Sequence, residues 1–230
     1  MTSIANNYTK VVSDITQHCQ RAHRETNNVQ LLAVSKTRTA EQLTELYHQG
    51  QSHFGENYLQ EALDKQNQLQ ALDITWHFIG PIQSNKTRAI AENFSWVHSV
   101  DRLKIARRLA EQRPNHLPPL NLCLQVNISN EENKAGCATD ECLELITQIA
   151  ALPNLKVRGL MAIPKASTDL NEQRASFAAL AALLEQCQQQ YPQLDTLSMG
   201  MSADIGPAIE LGATIVRVGT ALFGPRTYSS

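Results

Sequence analysis

The chain has 230 residues, 42% of them apolar, which is enough to bury one sizeable core and makes one large domain the expected organisation. Its formal net charge is −2 with no long run of either sign, so it lacks the basic stripe that nucleic acid or an anionic membrane surface requires. The first residues lack the basic start and apolar core of a signal peptide, and no stretch of roughly eighteen apolar residues occurs, so a cytosolic protein is expected.

Residues 4–22 place Ile4, Tyr8, Val11, Val12, Ile15, Cys19 and Ala22 on one stripe, the pattern of an amphipathic helix. Strand and helix then alternate. The apolar run at 29–36 is the first strand and ends on Lys36. Thr39 and Gln42 form a T-x-x-Q capping box for a helix over 40–49, with Gly50 as its C-cap. A short strand at 53–55 precedes a helix over 57–69. ITWHFIG at 74–80 is the third strand, followed by a helix at 84–93. The fourth strand spans 96–100, and Asp101 is expected to cap the helix carrying Leu103, Ala106 and Leu109. The proline-rich RPNHLPPL at 113–120 reads as a loop within the domain, because the same rhythm resumes beyond it. The fifth strand, 120–127, leads to a helix at 140–151. The sixth, 156–163, leads to a helix from about 169 to 190. The seventh, 194–200, leads to a short helix that Ser202 is expected to cap, and the eighth spans 214–219.

Eight strands in alternation with helices predict a single (β/α)8 TIM barrel over residues 1–230, with an additional N-terminal helix. A doubly wound open sheet is the competing arrangement, but no G-x-G-x-x-G follows the first strand. Only six residues follow Gly224, so no full helix can follow the eighth strand, and the N-terminal helix is expected to cover that gap. Cys19, Cys123, Cys137, Cys142 and Cys187 are odd in number and without CxxC spacing, so they read as free thiols, mostly packing residues. Cys137 and Cys142 have no histidine in suitable register and are not read as a zinc site.

Lys36 falls where a buried strand gives way to a βα loop, the edge at which barrel enzymes place their chemistry. A lysine delivered there by an apolar strand can be partly desolvated, which frees its amine as a nucleophile toward carbonyls. The loops after the seventh and eighth strands read GMS (200–202) and GTALFG (219–224), and barrels often bind phosphate there. Each loop offers glycine beside a hydroxyl: Ser202 in one, Gly219 and Thr220 in the other. On the eighth strand Ile215, Arg217 and Gly219 share a face, so Arg217 enters the same cavity. A buried arginine needs a partner, either a ligand's ring nitrogen or an acid in the barrel mouth. A covalent lysine, phosphate loops and an inward arginine together describe a pyridoxal-phosphate site. Because an arginine can only donate, the ring nitrogen opposite it stays unprotonated and the ring is a weak electron sink. Asn57, in FGENY, is placed to reach the ring. His77 reads as a hydrogen-bonded structural histidine, and Lys134 as a second lysine on the same rim, usually solvated.

LLAVSKT, HFGENYLQE, WHFIGPIQSNK, NISNEENKAG, RGLMAIP, LSMGMSAD and VRVGTALFG, in order from about 31 to 224, closely resemble the pyridoxal phosphate homeostasis proteins. Members of that family are similar to the barrel domain of alanine racemase standing alone. The resemblance implies that Lys36 holds pyridoxal 5'-phosphate as a Schiff base. It implies too that Ser202, Gly219 and Thr220 hold the phosphate, that Arg217 faces the pyridine nitrogen, and that Asn57 lines the ring. It further implies a carrier or buffer of the cofactor that supplies apoenzymes, with no established reaction. Gly206–Pro207, after Ser202, departs from the ordinary helix formers more usual there. The alternatives are an amino-acid racemase and a cofactor-free Schiff-base aldolase. A racemase needs a second acid/base on the opposite face, for which Tyr58 and Tyr228 are the nearest rim candidates, and neither matches a motif known to supply it. A monomer with no nucleic-acid or membrane partner, no metal and no catalytic residue is expected.

Overall fold

The computed structural model describes residues 3–132 and 134–225. Strands β1 (Gln30–Val34), β2 (His53–Glu56), β3 (Thr75–Phe78), β4 (Trp96–Val100), β5 (Leu120–Gln125), β6 (Leu155–Met161), β7 (Thr196–Met201) and β8 (Ile215–Val218) pair in sequence order and close into a barrel. All pairings are parallel, and closure runs from Gln30 opposite Ile215 to Ala33 opposite Val218, which excludes the open sheet. Around the barrel lie α1 (Ile4–Arg21), α2 (Ala40–His48), α3 (Leu59–Gln68), α4 (Thr87–Asn93), α5 (Leu103–Gln112), α6 (Cys142–Ala150), α7 (Leu170–Gln188) and α8 (Ile205–Glu210). One further turn of helix, α9 (Thr220–Phe223), follows β8.

Strand alternation sorts the side chains into two compartments. Leu31, Ala33, Phe54, Phe78, Leu122, Leu124, Leu160, Leu197, Val216 and Val218 face outward and merge with the buried stripes of the helices into one hydrophobic core. The opposite parity fills the barrel itself, and there Leu32 is joined by buried His77, His98, Cys123, Ser198 and Arg217. Interiors of such barrels are ordinarily dominated by branched apolar residues; this one has a polar centre.

The N-terminal helix does cover the gap expected from the sequence. α1 buries Val11, Ile15 and Cys19, packs against α8, α9 and α2, and is tied to α9 by the Asn7 amide, which donates to Leu222 O at 2.9 Å. Both bonds of the Thr39–Gln42 capping box are present. Two other caps differ from expectation. Asp101 pairs with the guanidinium of Arg102 at 2.8 Å, and Arg102, not Asp101, stands at the N-cap of α5. The N-cap of α8 is Asp204, whose carboxylate accepts from Met201 N–H; Ser202 lies in the preceding loop. The α8 helix accommodates Pro207 at its third position, where an N–H has no intrahelical partner to lose. Gly206 gives the ring of His18, on α1, room to approach: an added Cβ would lie 2.7 Å from it.

Candidate functional site

At the C-terminal end of the barrel a cavity of about 270 Å³ is lined by Val34, Lys36, Arg38, Met201, Ser202, Ala203, Arg217, Gly219 and Thr220. Five of the six residues expected from the sequence meet here, carried by the ends of β1, β7 and β8. Asn57 does not line this cavity; it follows β2, and its side-chain oxygen is buried without a hydrogen-bond partner among the described residues.

β1 ends at Val34, so Lys36 stands in a turn two residues beyond the strand rather than at its last position. Thr37 adopts a left-handed φ of 62°, unusual for a β-branched residue. Its N–H donates to Glu61 Oε1 at 2.6 Å. Glu61 is paired with Lys65 Nζ at 2.6 Å, and the same ammonium bonds Glu56 Oε1 and Ser35 O at 2.7 Å each. The Ser35 hydroxyl completes the knot on Glu56 Oε1 at 2.6 Å. Lys65 and Glu56 are both buried, so the turn presenting Lys36 is braced by a desolvated ion pair. Burial pushes the Glu56 carboxyl up, and the Lys65 charge beside it works against that rise.

The phosphate-side loops are held by different means. Gly219 stands at the N-cap of α9, where the first N–H groups of a helix lack intrahelical partners. A Cβ at Gly219 would approach Val34 O to 3.3 Å and fill that corner of the cavity. Arg38 clamps the segment after α9 by donating to Phe223 O and Gly224 O, and its guanidinium lies 5.5 Å from the Phe223 ring centroid.

Arg217 has no acid in hydrogen-bond contact among the described residues. Its Nη1 donates to Ser198 O and to Ser198 Oγ, at 2.5 and 2.8 Å, and its Nη2 to Ala162 O at 2.9 Å. Burial draws its pKa down to about 10, with Asp204 opposing, so it is a cation at neutral pH. Behind it, Ser198 Oγ is 2.8 Å from His98 Nδ1, His98 Nε2 is 2.9 Å from His77 Nδ1, and His77 Nε2 is 3.0 Å from His53 Nδ1.

Residues 12–227 match the family model described as alanine racemase, N-terminal domain. A curated relative from Pseudomonas aeruginosa, named pyridoxal phosphate homeostasis protein, is 56% identical over 100% of this chain and 99% of its own length. The chain belongs to the pyridoxal phosphate homeostasis protein family. A solved structure of PipY from Synechococcus elongatus, described as having PLP bound, is 40% identical and superposes with a TM-score of 0.84 over 96% of this chain and 100% of that one. An alanine racemase from Corynebacterium glutamicum, at 16% identity, has a TM-score of 0.70 over 96% of this chain and 59% of that chain, a likeness of fold.

Other rim residues of this family member are placed less centrally. Tyr58 is exposed at the N-cap of α3 and does not line the cavity, whereas Tyr228 lies outside the described residues. Lys134 is ion-paired with Glu131 at 2.6 Å and is likewise not in the lining. His77 is fully hydrogen-bonded inside the barrel, as a structural histidine would be. All five cysteines are free and buried, and no group of metal-ligating side chains is found among the described residues. No described helix is long and apolar enough to cross a membrane. Sequence reasoning missed Arg38, Asp204, Ser198 and His98. Arg38 left a local signal, a second basic residue in SKTR, and Asp204 caps α8 from within its own turn, whereas Ser198 and His98 act across the closed barrel.

Proposed function

We propose that the chain binds pyridoxal 5'-phosphate in this cavity and serves to store it and supply it to apoenzymes, rather than to turn over a substrate. The observation that carries this reading is the convergence of Lys36, Ser202, Arg217, Gly219 and Thr220 on one cavity. The residues suit the ligand's groups. Lys36 offers the amine for covalent attachment, while Ser202, Thr220, the first N–H groups of α9 and the charge of Arg38 suit a phosphate dianion. Arg217 provides only donors for the pyridine nitrogen. When bound, the cofactor supplies an electron-withdrawing ring, which an unprotonated nitrogen weakens. Among the described residues no tyrosine or histidine lines the cavity to hold a proton on the face opposite Lys36, and the mouth is open to water. The curated relative's name likewise describes homeostasis and no reaction. The protein acts as a cytoplasmic monomer in this reading.

The test is the visible absorption of purified wild-type protein and Lys36→Ala after incubation with pyridoxal phosphate, alongside racemization of alanine and serine. A band in the wild type that the variant lacks, with racemization no faster than free cofactor gives, is expected. Lys36-dependent turnover near ~1 s⁻¹ or above would replace the carrier with a racemase.

A further inference from the structure

His98, His77 and Ser198, in the polar centre of the barrel, do not line the upper cavity, and their hydrogen bonds behind Arg217 admit one consistent direction. Arg217 can only donate, so Ser198 Oγ accepts from Nη1 at 2.8 Å. That leaves one hydroxyl proton to place, and the ring nitrogen within reach is His98 Nδ1 at 2.8 Å. If Nδ1 accepts, His98 carries its proton on Nε2 and gives it to His77 Nδ1 at 2.9 Å; His77 then gives its Nε2 proton to His53 Nδ1 at 3.0 Å. His53 is left with Nε2–H at the lower barrel mouth, where it lines a second cavity of about 460 Å³ with Gln30, Trp96, Arg158, Asp195 and Thr214. The reverse order would strand the Ser198 proton. It would also aim an imidazole N–H dipole at a buried guanidinium, which is costly in a low-dielectric interior. Burial agrees with neutral rings, holding His98 down to about 3 and His77 well below its ordinary range.

We propose that His98, His77 and His53 are positioning residues for Arg217: a one-way chain of three neutral Nε2–H imidazoles that fixes Ser198 Oγ as an acceptor and so holds the guanidinium in the orientation it presents to the upper cavity. The proposal rests on Arg217 facing the cofactor in the function proposed above, but the chain itself exists without ligand. Its ends lie on opposite mouths of the barrel, and its members come from β2, β3, β4, β7 and β8, so it also fixes the interior register of five strands.

The ligand-free experiment is long-range ¹H–¹⁵N correlation of the histidine side chains in full-length protein between about pH 6.5 and 8. The neutral Nε2–H pattern is expected for all three rings; an Nδ1–H or charged ring at position 77 or 98 overturns the chain. The second experiment is a double-mutant cycle with pyridoxal phosphate, reading affinity and the visible band. His98→Phe and Ser198→Ala should each weaken binding by about tenfold and move the band, and the double variant should be no weaker than either alone, because His98 acts through Ser198. His98→Asn, whose amide oxygen can accept the Ser198 proton, should recover most of the loss. Independent, additive losses, or a His98→Phe protein with wild-type affinity and band, would overturn the positioning role. Wild-type protein that binds no cofactor would overturn the proposed function instead and leave the tautomer result standing. If the His98 variants fail to fold, the tautomer measurement on the wild type decides.

Discussion

Lys36 gains its reach from being two residues past a strand and in a turn whose next residue is forced into the left-handed region. Its role has a direct chemical readout: borohydride reduction of the cofactor-loaded protein followed by peptide mass analysis should place the pyridoxyl mass on Lys36. Label found only elsewhere, for example on Lys134, would remove Lys36 from the site. Ser202 and Thr220 reach the same cavity from loops after β7 and β8. Replacing both with alanine should weaken pyridoxal phosphate binding by roughly 2–5 kcal/mol, at ~1–3 for each hydrogen bond to a charged group. Pyridoxal, which lacks the phosphate, is the control and should lose much less. Equal losses for both ligands would make those hydroxyls structural.

Between the elements, two close approaches hold the β2 end in place. The first is the ionic knot under the Lys36 turn, in which α3 sends Lys65 back to Glu56 at the tip of β2. Lys65→Met removes the partner and strands a buried carboxylate, which should cost about 3–5 kcal/mol. Urea unfolding measures this, and cofactor binding by the folded fraction should also weaken because the turn loses its brace at Glu61. An unchanged midpoint would mean that water replaces the ammonium at little cost. The second approach is at Gly80, just after β3, where an added Cβ would fall 2.1 Å from Asn57 O. No rotation of a side chain relieves a clash with backbone, so Gly80→Ala should destabilise by about 1–3 kcal/mol. It should also displace the backbone at Asn57, just past the end of β2.

For the molecule as a whole, a barrel with histidines in place of branched aliphatics must respond to acid. Burial holds the pKa of His98 down to about 3 and that of His77 well below the ordinary 6.5, while His53 is lowered more modestly. The folded pKa values are depressed, so the unfolded chain binds more protons once pH falls below 6.5. Stability is therefore complete above that value and is lost as pH drops toward 3. The slope approaches ~1.4 kcal/mol per pH unit for each inner histidine. Glu56 and Asp204, raised by burial from 4.5 and 3.8, act with the opposite sign above those values and so offset part of the histidine slope. Urea titrations at pH 7, 6 and 5 should show the midpoint falling, and His98→Asn should reduce the dependence by about one histidine's share. A flat profile would show the inner rings taking up protons without cost.

The alternation of strand and helix, the capping box at Thr39, the inward face of the eighth strand and the glycine–hydroxyl loops were all legible along the chain. Each is set by neighbours within a few residues or by a fixed period. The same local logic brought Lys36, Ser202, Arg217, Gly219 and Thr220 to one rim, because every βα loop of a parallel barrel opens on the same side. It failed in two places: at helix starts, where two neighbouring groups compete for the cap, and where the partner is remote. Asp204, not Ser202, begins α8, since the Met201–Asp204 turn fixes that helix start. Asp101 is drawn to Arg102 instead of to its helix. Lys65 gains its buried partner Glu56 only when α3 packs against the end of β2. His53, His77, His98, Ser198 and Arg217 lie on five strands, and the separation between His98 and Ser198 is 100 residues. No sequence period links such positions. They become a hydrogen-bonded chain only when β8 pairs with β1 and the interior excludes the water that would otherwise satisfy each ring.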